Sequence, residues 1–242
     1  MVVSVMLVLA MDCSSAACSV AVSRDSTIIG RDFSLMTRGH ATALPPMISR
    51  VLADCGLGAR DMDAFAVSVG PGSFTGLRVA MAAAKGLAVA ADRPLIGVSC
   101  FDAVARRASS ENVDGTYEAL LLTLASKREE VFVQARDAAG HELIADQVLR
   151  PTEIDRLVGD KLSDGARLLV AGDATEVVTE VLRAPDSHCL ALVFEGSMMP
   201  PDAEDIALLA HDISTRDGII SNTYTAGLVP VYLRPPAAKK AS

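Results

Sequence analysis

The chain has 242 residues, half of them hydrophobic, and its formal net charge is −8 at pH 7. That length accommodates one large domain or two small ones with cores of their own. Lys and Arg supply most of the affinity of a protein that binds a phosphate backbone unaided, so the acidic balance argues against independent nucleic-acid binding. Trp is absent and aromatic residues make up only 4%, so smaller apolar side chains must fill the core.

The cysteines and the apolar start predict where the protein resides. The cysteines number five, and no two have CxxC spacing, which is typical of thiols in a reducing compartment rather than of disulfides. The apolar stretch Met1–Met11 contains no Lys or Arg, whereas the start of a signal peptide would. It stops at Asp12 and is too short to span a bilayer. We therefore expect a buried first strand in a cytoplasmic protein that does not contact membranes.

The first half of the chain predicts a meander of three strands followed by alternating helices and strands. Short apolar runs predict strands at Val5–Met11, Cys18–Ser23, Thr27–Ser34, Ala64–Val69 and Leu95–Val98. Helical spacing and small-residue runs predict helices at Ala43–Cys55, Thr75–Ala91 and Phe101–Ala108. Pro45 and Pro46 fit only within the first turn of a helix, which places the start of the first helix near Ala43.

The second half also opens with strands. Strands are predicted at Leu120–Leu124, Val131–Arg136, Leu143–Leu149 and Leu168–Ala171, and helices at Thr152–Val158, Ala174–Leu182 and Ala203–Thr215. The proline-rich tail Leu228–Pro236 is predicted to be extended. A polar seam near residues 109–117 divides the chain into two α/β lobes, 1–108 and 109–242, with the tail extending back over the molecule, and the element order of the first lobe indicates a mixed sheet.

The most distinctive motif is Gly70–Arg78, Gly-Pro-Gly-Ser-Phe-Thr-Gly-Leu-Arg, between a buried strand and a helix of small residues. A glycine-rich turn before a helix is the layout of a phosphate site, because free N–H groups at a helix start attract anions. The motif lacks the Gly-Lys-Ser/Thr of a P-loop, and its third glycine, Gly76, comes one residue late for GxGxxG. Two interpretations stay open: an anion site, and a sharp turn that permits close helix packing.

The helix after this turn is nearly free of large side chains. It is rich in Ala and contains Gly86, although a glycine inside a helix costs about 1 kcal/mol relative to Ala. Small residues allow another backbone to approach closely. That neighbour is either the chain's own sheet or a partner helix on the outer face, and the sequence does not choose between the two.

Several segments stand in the order and spacing of one known family. They are Met11-Asp12 with the Ser-rich turn after it, Cys18–Val22, His40–Thr42, Leu44–Ile48, Gly70–Arg78, Lys85–Ala88, Gly97–Ser99 and the tail Pro230–Arg234. On these segments the chain resembles the TsaB family, which acts in tRNA threonylcarbamoyladenosine biosynthesis. The agreement is continuous from residue 7 to about 108 and weaker from there to the tail.

The resemblance implies an actin-like ATPase fold with two related α/β lobes. It implies a non-catalytic subunit that pairs with and activates TsaD, the relative that transfers threonylcarbamoyl to the adenosine beside the tRNA anticodon. This chain would then meet tRNA only indirectly. The resemblance also implies a homodimer when the chain is alone and a TsaE-like ATPase as the third subunit of the assembly.

In that family the helices near His40–Ala53 and Thr75–Ala91 form the pairing surface. The resemblance therefore implies a partner interface on both helices and on the turn between strand and second helix. The interface residues expected here are His40, Leu44, Met47, Ile48, Gly70, Gly72, Thr75, Gly76, Arg78, Ala83, Ala84 and Leu87.

The sequence assigns no catalytic residue and no metal ligand. TsaD holds its metal with two histidines at HxxxH spacing, whereas no two of the four histidines here lie within four residues of each other. Asp12, Ser14 and Ser15 in the first turn are the candidates for contact with a nucleotide, but no Lys and no second glycine-rich hairpin accompanies them. The sequence therefore predicts that ATP or ADP could bind only at an interface shared with another subunit.

Two other functions fit parts of this pattern. The fold and the polar turn after Asp12 would suit an enzyme, either a nucleotide hydrolase of the actin-like superfamily or a peptidase. A regulatory homodimer outside tRNA modification is the third hypothesis. The phosphate-binding loops are incomplete and the HxxxH histidine pair is absent from the sequence, and both features argue against the enzyme hypothesis.

Overall fold

Two five-stranded sheets flanked by helices form the protein. The computed structural model describes residues 5–111, 117–126, 128–185, 187–193, 198–217 and 227–233. The strands are β1 (Leu7–Asp12), β2 (Ala17–Arg24), β3 (Thr27–Leu35), β4 (Ala64–Gly70), β5 (Leu95–Ser99), β6 (Ala119–Ala125), β7 (Val131–Asp137), β8 (Glu142–Leu149), β9 (Ala166–Ala171) and β10 (Cys189–Leu192). The helices are α1 (His40–Asp54), α2 (Phe74–Ala91), α3 (Cys100–Glu111), α4 (Pro151–Gly159), α5 (Thr175–Leu182) and α6 (Ala203–Asp217), with a 3₁₀ turn at Ala59–Asp61.

The first sheet has the strand order β3-β2-β1-β4-β5. Its first three strands form an antiparallel meander, and β4 runs parallel to both β1 and β5. The central strand β1 is covered on both faces: Leu9 and Met11 pack towards α1 and α2, and Val8 and Ala10 pack towards α6. This double burial is the physical reason for the continuous apolar run at the start of the sequence.

The second sheet repeats the topology of the first. Its order is β10-β9-β6-β7-β8, with β6, β7 and β8 antiparallel, β9 parallel to β6, and β10 parallel to β9. The two lobes are therefore related, as the fold class predicted. The sequence did not indicate β10, because it has only four residues and pairs with β9 alone at the edge of the sheet.

Helix α6 does not belong to the second lobe, which corrects the predicted division at residues 108 and 109. Ile206, Ala207 and Ala210 are buried against the first sheet, on the face opposite to α1 and α2. The fully buried Asp202 anchors the start of α6 by ion pairs with Arg31 and with Arg107. The first lobe thus takes its last helix from the far end of the chain.

Helix α1 begins at His40, three residues before the predicted start. Pro45 and Pro46 consequently lie inside the helix rather than in its first turn. Each proline leaves one carbonyl of the preceding turn without its helical N–H donor. Both prolines are exposed, so water can reach those carbonyls, while the buried face of α1 keeps its contacts with the sheet.

Helix α2 is the one described helix that is long and apolar enough to cross a membrane by length and composition. Leu77, Ala80 and Ala84 on this helix are fully buried against the first sheet. That burial is typical of a core helix. The cysteines of the chain all have free thiols, and four of the five are buried.

The packing of α6 can be tested by truncating its central side chain. Ile206→Ala should lower the free energy of unfolding by about 2–5 kcal/mol, because it removes a fully buried side chain. Urea denaturation measures the loss, and hydrogen exchange should accelerate in β1 and β4 more than in β6 and β9. Leu190→Ala, on an exposed side chain of β10, is the control. Faster exchange confined to the second sheet would contradict this placement of α6.

Candidate functional site

The turn between β1 and β2 is closed around a buried carboxylate. Asp12 ends β1 with 0% of its surface exposed, and both of its side-chain oxygens accept the backbone N–H of Ser14 at 3.1 Å. Burial raises the pKa of Asp12 from 3.8 to about 6, and the hydrogen bonds from Ser14 oppose this shift only in part. The carboxylate therefore serves the turn itself and does not face solvent.

The Gly70–Arg78 motif packs directly on this turn. The backbone N–H of Ser73 donates to the carbonyl of Ser14 at 2.6 Å. A Cβ atom at Gly72 would lie 2.5 Å from that carbonyl oxygen, and one at Gly76 would lie 1.8 Å from the carbonyl oxygen of Cys13. The glycines are needed because two backbones touch here, which favours close packing over a phosphate cradle.

The start of α2 satisfies its own backbone donors in part. The side chain of Ser73 is the N-cap and accepts the N–H of Gly76 at 3.3 Å. Gly70 has a φ of +116°, a conformation that side-chain-bearing residues rarely adopt. The turn thus combines a backbone conformation suited to glycine with a capped helix start.

The chain's tail crosses this region as a strap, defined here as residues 227–233. The Val231 N–H donates to the carbonyl of Val69 at 2.7 Å, and the Lys85 ammonium donates to the carbonyl of Leu228 at 2.7 Å. At the start of α2, the guanidinium of Arg78 lies 3.7 Å from the ring centre of Phe74 and donates to the Tyr232 hydroxyl at 2.9 Å. Arg234, predicted as part of this segment, lies outside the described residues.

Six of the expected interface residues are buried in the chain's own first lobe, which corrects their assignment to an exposed surface. Their side chains or backbones face the sheet, where they fill the core or meet the β1–β2 turn. They are Leu44, Met47, Ile48, Gly70, Gly76 and Ala84. Of these, Leu44, Met47 and Ile48 carry the helical periodicity of α1, which is the periodicity of its buried face.

The other six expected interface residues are at least partly accessible. Thr75 and Arg78 are exposed, whereas His40, Gly72, Ala83 and Leu87 are half-buried. Arg78 is engaged with the strap through Tyr232. The accessible part of the prediction is therefore concentrated at the start of α2 and along one side of it.

The exposed stripe of α2 includes two of the expected interface residues, Thr75 and Arg78, and three that were not expected there. We call it the outer face of α2 and define it by Thr75, Arg78, Ala82, Gly86 and Val89, which recur every three or four residues. Val89 is 73% exposed, and a Cβ atom at Gly86 would meet no atom within 4 Å. Because small residues occur on both faces of α2, the sequence gives no clear signal for this stripe.

A cleft of about 790 Å³ lies between the two lobes. The loops that follow β1, β4, β6 and β9 line it, so it sits at the carboxyl ends of parallel strands from both sheets. Its walls include Arg38 from the first lobe, Arg128 and Asp173 from the second, and Tyr232 from the strap. Burial raises the pKa of Asp173 to about 6, and its carboxylate accepts the N–H of Ala125 at 2.7 Å.

The nucleotide candidates differ in their access to this cleft. Ser15 lines the cleft and is half-buried; Ser14 also lines it but is nearly fully buried, and Asp12 lies beneath the turn. An actin-like ATPase fold implies a nucleotide with a divalent cation, yet the oxygens of Asp12 are shielded and bonded to Ser14. Among the described residues, no group of three or more His, Cys, Asp or Glu side chains is arranged to hold a metal. Asp12 therefore does not fit as the ligand of such a cation.

Comparison with known proteins places the chain in a family. The family model described as "TsaD: tRNA N6-adenosine threonylcarbamoyltransferase" matches residues 34–214. A TsaB protein from Escherichia coli, named for tRNA threonylcarbamoyladenosine biosynthesis, is 31% identical over 240 residues, covering 97% of each chain. The chain belongs to the TsaB family. A tRNA N6-adenosine threonylcarbamoyltransferase from Novosphingobium aromaticivorans is 33% identical over 138 residues, but these make up only 37% of that protein, so the full-length match is to TsaB.

Solved structures agree with this TsaB assignment. The protein YeaZ from Pseudomonas aeruginosa superposes with a TM-score of 0.73 at 29% identity, covering 94% of this chain and 100% of that one. The activator of a 2-hydroxyisocaproyl-CoA dehydratase from Clostridium difficile has a TM-score of 0.51 at 10% identity, covering 88% and 97%. The latter likeness concerns the fold alone. Both the family and the actin-like ATPase fold predicted from the sequence are confirmed.

Two glycines of α2 give a matched test of the close contact at the start of this TsaB helix. Gly76→Ala should destabilise the protein by about 2 kcal/mol or more, because the new Cβ meets the backbone of Cys13, which cannot move aside cheaply. Gly86→Ala adds the same atom in open space and should stabilise it by about 0.5–1 kcal/mol. Thermal and urea unfolding measure both changes. Equal effects would show that the contact at Gly76 does not constrain the fold.

The raised pKa of Asp12 predicts a pH dependence of stability. The folded pKa of about 6 exceeds the ordinary 3.8, so the folded state binds the extra proton and this residue's contribution falls as pH rises from about 4 to 6. Asp12→Asn cannot ionise. Relative to the wild type, its free energy of unfolding should therefore rise by up to about 3 kcal/mol between about pH 4 and pH 7.

Urea unfolding at several pH values measures this difference. The control is Asp54→Asn, an exposed change at the end of α1. A difference between Asp12→Asn and wild type that stays constant across this pH range would contradict the predicted titration.

Proposed function

We propose that this TsaB chain is the non-catalytic subunit that pairs with and activates a TsaD-like transferase in the formation of threonylcarbamoyladenosine in tRNA. The full-length similarity to proteins named for that biosynthesis supports the role in the pathway. The exposed outer face of α2 is the observation that carries the pairing. On this proposal the chain supplies a surface, and the chemistry takes place in the partner.

The outer face of α2 has the properties of a helix-pairing surface. Ala82 and Gly86 offer little side-chain bulk, so a second helix could approach closely. Val89, beside them, exposes most of its apolar surface to water, and covering it in a complex would be favourable.

The bonding of Asp12 and the net charge of the chain support a non-catalytic role. Asp12, a fully buried carboxylate below the cleft, accepts the backbone N–H of Ser14 with both oxygens, so it is not placed to activate a water or hold a cation. The acidic net charge supports contact with tRNA through the partner rather than alone.

The wider assembly follows from the same surface. We propose that the isolated chain forms a homodimer through the outer face of α2, as an isologous interface requires the same patch on both copies. The homodimer and the complex with the TsaD-like subunit would then exclude each other. A TsaE-like ATPase would bind elsewhere as a third subunit, and five free thiols support a cytoplasmic location without membrane contact.

Ser187 and His188 both lie within hydrogen-bond distance of Asp155, but their geometry does not favour a peptidase. The Ser187 hydroxyl donates to one oxygen of Asp155 at 2.6 Å, and the other oxygen lies 2.9 Å from His188 Nδ1. A nucleophilic serine needs the imidazole as its base. Here the carboxylate stands between the two, which is a structural arrangement that fixes the start of β10.

The pairing surface can be tested with two matched valines on helices of different lobes. Val89→Arg places a charge on the outer face of α2 and should weaken binding to a TsaD-like subunit by about tenfold or more. Val177→Arg makes the same change on α5, where the side chain is 43% exposed, and should leave binding unchanged. Calorimetric titration with the purified partner measures both.

Three readouts make the outcome decisive. Thermal unfolding should be similar in the two variants, because both valines are exposed. Threonylcarbamoyladenosine in tRNA from cells that carry only Val89→Arg should fall, and the homodimer should dissociate in sedimentation experiments. Unchanged partner binding by Val89→Arg would disprove this surface, and normal modified-nucleoside levels after depletion of the chain would disprove the pathway.

A further inference from the structure

Two thiols beneath the β1–β2 turn lie close enough to react with each other. The sulfurs of Cys13 and Cys18 are 3.6 Å apart, at the distance of a hydrogen bond between thiols. The register of β1 and β2 pairs Asp12 with Ser19, and one further step along it places Cys13 opposite Cys18. Opposite residues of an antiparallel pair have Cα atoms about 4.5–5.5 Å apart, which is within the range of about 4.4–6.8 Å that a disulfide spans.

This pair is distinct from the remaining cysteines of the chain. All five cysteines have free thiols, and within the described ranges Cys13 and Cys18 form the one hydrogen bond between two cysteine sulfurs. Neither thiol takes part in the proposed pairing surface, which lies on the outer face of α2. Two thiols in contact can be oxidised to a disulfide within the chain, a modification that a lone thiol cannot undergo.

The contact makes one of the two sulfurs the better nucleophile. A hydrogen bond from the Cys13 thiol lowers the pKa of Cys18, while burial and the Asp12 carboxylate oppose that shift. The same hydrogen bond raises the pKa of Cys13. Because the thiolate rather than the thiol attacks an oxidant, Cys18 is the sulfur that reacts first and Cys13 is the one that completes the disulfide.

A small oxidant has a short route to the pair. Both cysteines are fully buried, but residues 14–16, which connect them, line the interlobe cleft, and Ala16 is exposed. Hydrogen peroxide is little larger than water, so a local opening of this turn is enough to admit it. A bulky oxidant such as glutathione disulfide would need a much larger opening of the two strands.

The reaction balances with hydrogen peroxide as the oxidant. The Cys18 thiolate attacks one oxygen of the peroxide, the O–O bond breaks, and the other oxygen leaves as hydroxide, which takes up the proton that Cys18 released. The product is a sulfenic acid on Cys18. The sulfur of Cys13 then attacks the sulfur of Cys18, the S–O bond breaks, and the hydroxyl leaves as water with the thiol proton of Cys13. Two thiols are oxidised to one disulfide, and one peroxide is reduced to two waters.

The disulfide would act on the start of α2. The two sulfurs have to come about 1.5 Å closer to reach the bond length of about 2.05 Å. Cys13 cannot move alone, because its carbonyl oxygen lies against Gly76. The next carbonyl, that of Ser14, accepts the Ser73 N–H. A close-packed interior transmits such a shift to its neighbours, so the first turns of α2 would lose part of their contact with the β1–β2 turn.

We propose that Cys13 and Cys18 form a reversible disulfide when the protein meets hydrogen peroxide, and that this bond loosens the start of α2. The outer face of α2 begins there, at Thr75. Oxidation would therefore weaken pairing with a TsaD-like subunit, a consequence that rests on the proposed function. Cellular thiols would restore the reduced form once the peroxide is consumed.

Thiol counting on the full chain tests whether the bond forms. The reduced protein has five free thiols, two of which would enter the bond, so brief treatment with hydrogen peroxide should leave three that react with iodoacetamide after unfolding. Dithiothreitol should restore all five. Cys55→Ser, at the half-buried thiol just after α1, is the matched control and should still lose two thiols. Cys13→Ser and Cys18→Ser should form no internal disulfide.

Mass spectrometry of the wild type locates the bond without relying on any variant. No Lys or Arg precedes Arg24, so trypsin releases both cysteines in one peptide. After oxidation this peptide should have lost two hydrogens and should resist alkylation. A bond to another cysteine, a bond between two chains, or only sulfinic acid at Cys18 would overturn the proposal.

Hydrogen exchange measures the effect on α2. In the oxidised wild type, exchange between Leu77 and Ala84 should be several-fold faster than in the reduced protein, whereas β6 and β9 should be unchanged. Equal exchange along α2 in the two forms would show that the bond does not act on this helix and would overturn that part of the proposal.

Calorimetric titration with the TsaD-like partner measures the consequence for pairing. Peroxide treatment should weaken partner binding by the wild type and by Cys55→Ser, but not by Cys13→Ser. Equal affinity of the oxidised and reduced wild type would overturn the effect on pairing. If the reduced protein does not bind the partner at all, the proposed function fails, while the peptide mass and the exchange data still decide the disulfide.

Discussion

The contact between two backbones at the start of α2 is the constraint on which the rest of the first lobe depends. Gly72 and Gly76 lie where any side chain would meet the carbonyls of Ser14 and Cys13. This contact sets the position of α2 on the sheet, and that position decides which side of the helix is buried. It also explains why the motif is rich in glycine without requiring a bound phosphate. In this turn, which resembles an anion-binding loop, the carbonyl of Ser14 accepts a hydrogen bond from the Ser73 N–H.

The topology of the first lobe is repeated in the second, and a cleft lies between the two lobes. Both sheets share one strand order, so the loops that end their parallel strands converge on the same space. The chain then ties the lobes together with segments distant in sequence: α6 packs on the first sheet through Ile206, and the strap binds β4 through Val231.

Much of the fold could be predicted because the periodic signals were strong. The apolar run of β1 and the helical spacing of α1 follow from burial, and the buried positions Leu44 and Ile48 carry that spacing. The candidate site was less predictable. On an alanine-rich helix the buried and exposed faces have similar composition, so Ala84 and Ala82 look alike in sequence although one is in the core and the other in solvent. The pairing residues chosen from the sequence were therefore partly core residues.

The sequence by itself determined the family, the order of most elements and the special status of the Gly70–Arg78 turn, because each depends on local residue pattern and spacing. Only the tertiary structure decided which face of α2 is free, that α6 completes the first lobe, and that Arg38 and Arg128 face one cleft. Those outcomes depend on contacts between segments far apart in the chain, such as Arg31 with Asp202. The local residue pattern does not specify such contacts, because the same segments could pack in several ways and only the fold of the whole chain selects one of them.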